Sequence, residues 1–195
     1  AERRHSVDVA DDQVPGAPLP ELLGGPATNQ PVAHPPHAYV RTLTTPNSAF
    51  DRYAAGDKRA LTDAQKRGLM LFVGKAECTL CHRGPNFEDD QFHALGIRGN
   101  DQGRFLVTGV PADRYAFKTP TIRNVELTAP YMHDGSLATL RDVIDFYDAG
   151  GGPEQPKSVL LRRLNLTARE KADLVAFLES LTGKVVRRES RMAAK

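Results

Sequence analysis

Apolar side chains recur at helical spacing in three segments of the chain. The first segment begins with a capping box at Thr62 and continues to about Val73. The second begins at Thr139, with Asp142 at the third helical position to form a capping box. Its apolar positions i, i+3, i+4 and i+7 are occupied by Leu140, Val143, Ile144 and Tyr147. The third begins with a capping box at Thr167 and ends at Gly183. The pattern predicts three amphipathic helices, and the predicted fold class is mainly α.

The segments outside these helices are long and rich in glycine and proline. Residues 84–138 show no convincing alternation of apolar and polar positions, so the sequence predicts loops and no strand there. Loops of this length are uncommon in a compact domain without a functional reason, and a large bound group would give them a core. Residues 1–46 hold eight of the 14 prolines, which predicts an extended arm lying on its own domain or on a partner.

Charge and hydropathy argue against two classes of protein. The 26 lysines and arginines are nearly balanced by 24 aspartates and glutamates, giving a net charge of +2. A nucleic-acid-binding protein would show a clear basic excess. The apolar run from Leu69 to Val73 is far shorter than the roughly 20 residues that span a bilayer, so no transmembrane segment is predicted.

The predicted organisation is the arm over 1–46, a helical domain over 47–186 and a tail over 187–195. The tail is locally basic, at Arg187, Arg188, Arg191 and Lys195. A solvated tail is the favoured interpretation, and docking to an acidic redox partner is the alternative.

The two cysteines of the chain belong to one short motif. Cys78, Cys81 and His82 form C-x-x-C-H, in which two thiols reach the two vinyl groups of one haem and the histidine is placed under its iron. A structural zinc site needs about four ligands, and no second Cys/His pair appears in the sequence. A thioredoxin-like redox pair needs a βαβ context, which is absent. The motif predicts one covalent c-type haem with His82 as its proximal ligand.

The motif does not determine the second axial ligand of this haem. The candidates are Met132, Tyr147, His93 and His133. Met132 lies in a loop 50 residues beyond His82, and Met/His ligation is usual in small cytochromes c. It can equally be a gap-filling core methionine, and Tyr147 can equally be a packing residue of its helix. Spacing alone favours Met132.

Several blocks of the sequence resemble one bacterial family, in the family's order. They are residues 44–57 (TTPNSAFDRYAAGD), 67–72 (RGLMLF), 81–87 (CHRGPNF), 115–140 (YAFKTPTIRNVELTAPYMHDGSLATL) and 143–151 (VIDFYDAGG). Over about residues 38–183 the chain is similar to the C-terminal haem domain of the dihaem cytochrome c peroxidase/MauG family. The resemblance implies a cytochrome c-like haem domain whose haem transfers electrons.

The resemblance also bears on the distal ligand. In this family the ligand comes from the helix after a His-Asp-Gly turn, as a methionine in the peroxidases proper and a tyrosine in MauG-like members. The matching position is Tyr147, whereas Met132 precedes the turn at a position the family does not use. The resemblance therefore implies Tyr147 as the ligand, with Met132 as the alternative. A phenolate would stabilise ferric iron and lower the reduction potential relative to methionine.

A calcium site is implied by the same resemblance. The family binds calcium between its two haem domains, partly through backbone carbonyls of the segment that matches Thr128, Ala129 and Pro130. Carbonyl oxygens suit this hard cation. The carbonyls of Thr128 and Pro130 are the candidate ligands.

The sequence departs from the family because it has no second C-x-x-C-H motif. In the family the N-terminal domain holds the peroxide-reactive haem, and residues 1–37 do not resemble that domain. We therefore expect an electron-transfer domain or subunit that works with a redox partner, such as a second haem-bearing chain. The alternative is half of a split or processed dihaem peroxidase or MauG-like enzyme.

The expected location is the bacterial periplasm, because bacteria attach haem c outside the cytoplasmic membrane. The chain begins at Ala1 without a charged-then-apolar leader, as expected of a mature or trimmed product.

Overall fold

The computed structural model describes residues 43–184 and 186–187. In chain order its helices and strands are β1 (Leu43–Thr44), α1 (Ala49–Ala54), α2 (Asp63–Val73), β2 (Phe92–Ala94), α3 (Phe105–Thr108), β3 (Ala116–Lys118), α4 (Leu140–Asp148), α5 (Ala168–Glu179) and β4 (Val186–Arg187). Short 3-10 turns occupy Cys78–Leu80, Pro111–Asp113 and Val125–Leu127. Most of the predicted arm and tail, residues 1–42 and 188–195, lies outside the described residues.

The three predicted helices are present as α2, α4 and α5. Each begins at its predicted capping box, at Thr62, Thr139 and Thr167. In each box the cap side chain accepts a hydrogen bond from the third helical N–H, and the third side chain accepts one from the cap N–H. Helix α5 ends at Glu179, before the predicted Gly183. Another capping box, formed by Ser48 and Asp51, begins α1, which the apolar pattern did not predict.

Strands β2 and β3 form an antiparallel pair in which His93 lies opposite Phe117. The prediction that residues 84–138 contain no strand is therefore wrong. Each strand has three residues, too few to show the alternation by which a strand is recognised in a sequence. Helices still outweigh strands in the described chain, and the mainly α description holds only loosely.

The core is built where α2 crosses α5. Gly68 permits their close approach, since a Cβ at this position would overlap the backbone carbonyl of Asp173. Next to it, the Arg67 guanidinium makes two 2.8 Å hydrogen bonds to the Asp173 carboxylate, a bidentate pair. Phe177 is fully buried, and its ring centroid lies 5.0 Å from that of Phe72. The Phe72–Phe177 contact lies at the end of α2, from which the chain enters the cysteine motif.

A short strand pair joins the two ends of the described chain. Leu43 lies opposite Arg187, and Thr44 lies opposite Val186. The pairing therefore includes residues from the end of the predicted arm and the start of the predicted tail.

No helix among the described residues combines the length and the apolar character needed to cross a bilayer.

Candidate haem-binding site

A cavity of about 560 Å³ lies beside the cysteine motif. This volume falls within the roughly 300–1,000 Å³ that is usual for cofactor sites. Its walls are mainly apolar and come from α2, α4, α5 and the loops between α2 and α4; they include Phe72, Leu140, Ile144, Leu174 and Leu178. The long loops for which the sequence predicted a bound group therefore surround a space that can hold one.

The cysteine motif folds as a 3-10 turn on the cavity wall. The N–H groups of Cys81 and His82 both donate to the carbonyl of Cys78, at 3.3 and 2.8 Å, and all three residues line the cavity. Both cysteines are free thiols. Burial raises the pKa of Cys78 to about 12 and also raises the pKa of Cys81. A thioredoxin-like pair has a lowered thiol pKa, so the environment of these thiols does not suit that chemistry.

His82 is oriented as a metal ligand would be. Its Nδ1 lies 2.8 Å from the carbonyl oxygen of Phe87. Because a carbonyl can only accept, Nδ1 carries the proton and Nε2 carries the lone pair. Burial lowers the pKa of His82, which favours this neutral form. Metal-bound histidines usually donate their other ring N–H to such a carbonyl, so the residues present fit a haem iron on Nε2.

Tyr147 lies on the face of α4 that lines the cavity. The helical stripe predicted from the sequence is confirmed, because the cavity lining includes Leu140, Val143, Ile144 and Tyr147. Burial and the neighbouring Cys78 and Cys81 raise the pKa of the Tyr147 phenol. In this apolar wall the phenol therefore keeps its proton, and a nearby ferric ion is the kind of charge that would favour the phenolate.

Met132 and His133 line the same cavity. Met132 has a φ of 70°, in the left-handed region that is uncommon for residues other than glycine. Its turn is closed by the N–H of Tyr131, which donates to the carbonyl of Leu137 at 2.7 Å. The ring of His133 stacks on Phe117 with centroids 3.7 Å apart. The structure thus brings these candidates to the same cavity as Tyr147.

His93 also lines the cavity, but it is paired with a buried acid that the sequence analysis missed. Its Nε2 lies 2.8 Å from Oδ2 of Asp89, whose side chain is 3% exposed. Burial opposes ionisation of Asp89, yet hydrogen bonds from His93, the Gln91 N–H and Thr119 lower its pKa to about 2. The pair is formed in an irregular loop, where a spacing of four residues carries no periodic signal. One ring nitrogen of His93 is therefore already engaged.

Cys81, Asp89 and His93 place ligand atoms within 4.8 Å of one another. A zinc ion bound by these three residues is therefore an alternative to haem, although the sequence argued against a zinc site. Structural zinc sites take about four ligands, and the carboxylate of Asp89 already pairs with His93. The adjoining apolar cavity, with a histidine aligned by its second nitrogen, suits haem better than a bare cation.

The candidate calcium segment lies at the surface. Thr128, Ala129 and Pro130 are exposed, and the Thr128 hydroxyl donates to the carbonyl of Val125 at 3.1 Å. The carbonyls of Thr128 and Pro130 stay predicted ligands.

The chain is similar to several known proteins. It is 46% identical over 146 residues to the methylamine utilization protein MauG of Methylorubrum extorquens, covering 73% of this chain and 41% of that protein. It is 35% identical over 175 residues to the cytochrome c551 peroxidase of Pseudomonas aeruginosa, covering 85% and 47%. No family model matches the chain.

Solved structures agree with these relatives. A MauG-like protein associated with microbial copper homeostasis shares 38% identity with a TM-score of 0.66, covering 71% of this chain and 52% of that one. The dihaem peroxidase BthA from Burkholderia thailandensis shares the fold, with a TM-score of 0.57 at 24% identity, covering 70% of this chain and 46% of that one.

The fold is that of a cytochrome c-like domain, and its helices and loops surround a cavity of the size usual for a cofactor. By its relatives, the chain belongs to the dihaem cytochrome c peroxidase/MauG family, as the resemblance implied. It spans about half the length of the curated relatives that it matches.

Proposed function

We propose that this chain is a haem c electron-transfer domain of a dihaem peroxidase/MauG-like system. One haem is attached through thioethers to Cys78 and Cys81, and His82 is its proximal ligand. The observation that carries the proposal is the hydrogen bond from His82 Nδ1 to the Phe87 carbonyl beside a 560 Å³ apolar cavity. This contact presents Nε2 as a ligand, and the cavity offers the space that the macrocycle needs.

Residues of this chain bind the haem and separate it from solvent. Each cysteine thiol would hold the haem by adding across one of its vinyl groups, with the S–H bond and the vinyl π bond replaced by one C–S and one C–H bond. The bound haem supplies one-electron redox chemistry. The apolar walls, including Leu140, Ile144 and Leu174, would surround the haem with a low-dielectric environment. A low local dielectric makes the axial ligands and nearby charges stronger determinants of the potential.

The proposed distal ligand is Tyr147, with Met132 as the alternative. Tyr147 is supported by its position on the cavity face of α4, a regular helix with a capping box at its start. A ligand on such a helix is held more rigidly than one in the turn around Met132. Two axial protein ligands leave no open position for peroxide, which favours electron transfer over peroxide reduction at this haem.

The second candidate function is one half of a peroxide-reducing enzyme. It is favoured by relatives named cytochrome c551 peroxidase and MauG, which are about twice as long as this chain. In that case a second haem domain would reduce peroxide, and this domain would pass electrons to or from it. Calcium held partly by the carbonyls of Thr128 and Pro130 would belong to the junction between the two.

The proposed location is the bacterial periplasm, where haem c is attached to its proteins. The proposed partner is a redox protein, either a second haem-bearing domain or a separate donor or acceptor. A periplasmic fraction that carries the holoprotein is the expected result of cell fractionation, and cytosolic holoprotein would contradict the proposal.

A haem count tests the proposal most directly. Intact mass spectrometry and a pyridine-haemochrome assay on the purified assembly should give one covalent haem on this chain. A chain free of haem, or one holding zinc, would overturn the haem site itself. A co-purifying polypeptide with its own haem, together with peroxide turnover above that of free haem, would favour the peroxidase alternative.

A further inference from the structure

Three consecutive peptide carbonyls precede Glu88, and each accepts a side-chain hydrogen bond. The carbonyl of Pro85 accepts from Nε of Arg123 at 2.6 Å, and that of Asn86 accepts from the Thr121 hydroxyl at 2.6 Å. The third carbonyl, that of Phe87, accepts from Nδ1 of His82 at 2.8 Å. Thr121 and Arg123, from a segment distant in the sequence, thus form hydrogen bonds to the loop that orients the proximal histidine.

We propose that Arg123 and Thr121 are positioning residues for His82, acting through the peptide backbone of residues 85–87. The inference rests on the proposed haem site, in which His82 is an iron ligand. Neither residue makes a hydrogen bond to the imidazole, whose Nδ1 is bonded to the Phe87 carbonyl. They hold the two peptide groups before Phe87, and so determine where its carbonyl oxygen points.

The conformation of Phe87 shows why such anchoring is needed. Its φ is 55°, in the left-handed region that a large aromatic residue adopts only at a cost in free energy. Its ring is buried and packs edge-on against Phe50, with centroids 5.2 Å apart. The buried ring holds one side of this residue. The hydrogen bonds from Thr121 and Arg123 hold the two peptide groups before Phe87, so the Phe87 carbonyl keeps a fixed direction.

The segment that carries Thr121 and Arg123 is itself fixed to the core. Ile122, between them, is 8% exposed. The Asn124 N–H donates to the carbonyl of Leu181 at 3.3 Å, and its side-chain oxygen accepts from the Gly183 N–H at 2.8 Å. Because their segment is anchored to the region after α5, Thr121 and Arg123 can hold the loop beside His82 in a fixed position.

Arg123 suits this role because its guanidinium can bind two partners at once. Nε donates to the Pro85 carbonyl, while Nη1 lies 3.0 and 3.2 Å from the two carboxylate oxygens of Asp51 on α1. The guanidinium carbon also lies 5.5 Å from the centroid of the Phe87 ring. A lysine could pair with Asp51, but its single ammonium lacks the planar fork that serves both partners.

The effect on the iron follows from the strength of the Nδ1–H bond. A well-aligned carbonyl acceptor raises the basicity of Nε2, which favours ferric iron. Loss of the contacts from Thr121 or Arg123 would weaken the hydrogen bond from His82 to Phe87, so the midpoint potential of the haem should rise. The same loss also exposes the Nδ1 proton, whose exchange with solvent should become about tenfold faster if one ordinary side-chain hydrogen bond to the loop is lost.

The test compares Thr121→Val, Arg123→Lys and Arg123→Ala in the holoprotein. Spectroelectrochemistry gives the midpoint potential, and proton NMR of the reduced protein gives the exchange rate of the His82 Nδ1 proton. We expect a raised potential and faster exchange in all three, with the lysine variant closer to Arg123→Ala than to the native protein. Thr121→Val is nearly isosteric and keeps the test available if Arg123→Ala fails to fold.

The control is Arg67→Gln, which breaks another Arg–Asp pair, with Asp173, away from the loop. It should lower the thermal stability and leave both the potential and the exchange rate unchanged. Variants of Thr121 and Arg123 that behave like this control, or full recovery by Arg123→Lys, would overturn the inference while leaving the haem site intact. A native chain without covalent haem would overturn both.

Discussion

The imidazole of His82 and the carbonyl of Phe87 are joined by a 2.8 Å hydrogen bond, and Phe87 itself has a left-handed backbone conformation. The contact assigns the ring tautomer, with the proton on Nδ1 and the lone pair on Nε2. It therefore links a strained loop to the chemistry proposed for the iron.

Covalent attachment should depend on both cysteines. The double variant Cys78→Ala with Cys81→Ala should yield a chain whose intact mass equals that of the polypeptide, because no thioether can form. The native chain should be heavier by one haem and keep it under denaturing conditions. A native chain that loses its colour on denaturation would contradict covalent attachment.

Removing the Tyr147 hydroxyl should open the iron. In Tyr147→Phe the ring still fills the cavity wall, but no oxygen remains to coordinate, so the ferric spectrum should change from low-spin to high-spin. Cyanide should then bind readily, as followed by optical titration. The measurement needs the ferric holoprotein at neutral pH.

Met132→Leu is the matched variant for the alternative ligand. A volume-conserving change of this kind costs less than about 1.5 kcal/mol, and we expect the spectrum to stay as in the native protein. If the ferric protein instead shows the sulfur-to-iron band in the near infrared, and Met132→Leu removes it, Met132 is the ligand. Tyr147 would then be a packing residue of α4.

The crossing of α2 and α5 should not tolerate a side chain at Gly68. Gly68→Ala would push a methyl group into the carbonyl of Asp173, and overpacking of this kind destabilises by roughly 1–3 kcal/mol. Gly99→Ala is the control, because a Cβ there meets nothing within 4 Å. Thermal unfolding of the holoprotein should show a lower midpoint for the first variant only. Equal midpoints would mean that the helices can move apart at little cost.

Asp89 should make the domain more stable above pH 4 than below it. Its folded pKa of about 2 is below the ordinary value of 3.8, so its stabilisation is complete above about pH 4. It is lost as the pH falls from about 4 to about 2. Linkage alone would give about 2.5 kcal/mol for this shift, and solvent screening reduces the contribution at neutral pH to about 1–2 kcal/mol.

The measurement for Asp89 is denaturant unfolding of the native protein and Asp89→Asn at several pH values. The difference in unfolding free energy should be largest near pH 6 and should shrink below pH 4. A difference that stays constant from pH 6 to pH 2 would show that the carboxylate charge contributes nothing through its pairing with His93.

The parts of this protein that the sequence alone determined are those specified by neighbouring residues. The capping boxes at Thr62, Thr139 and Thr167 involve residues three apart, and each helix begins where its box predicts. The stripe that places Tyr147 on the cavity follows from the period of one helix. The C-x-x-C-H spacing likewise brings Cys78, Cys81 and His82 to one turn.

Tertiary structure alone decided the features that join distant segments. The β2–β3 pair, the overlap that requires glycine at position 68 and the contact between Arg123 and the Pro85 carbonyl each link residues at least 20 positions apart. The Asp89–His93 pair is close in sequence, but only an irregular loop brings its two side chains together. A periodic pattern reports which side of one helix or strand is apolar; it carries no information about which loop or helix will cover that side. For that reason the sequence predicted His82 as the ligand, and only the fold revealed the carbonyl of Phe87 that orients its ring.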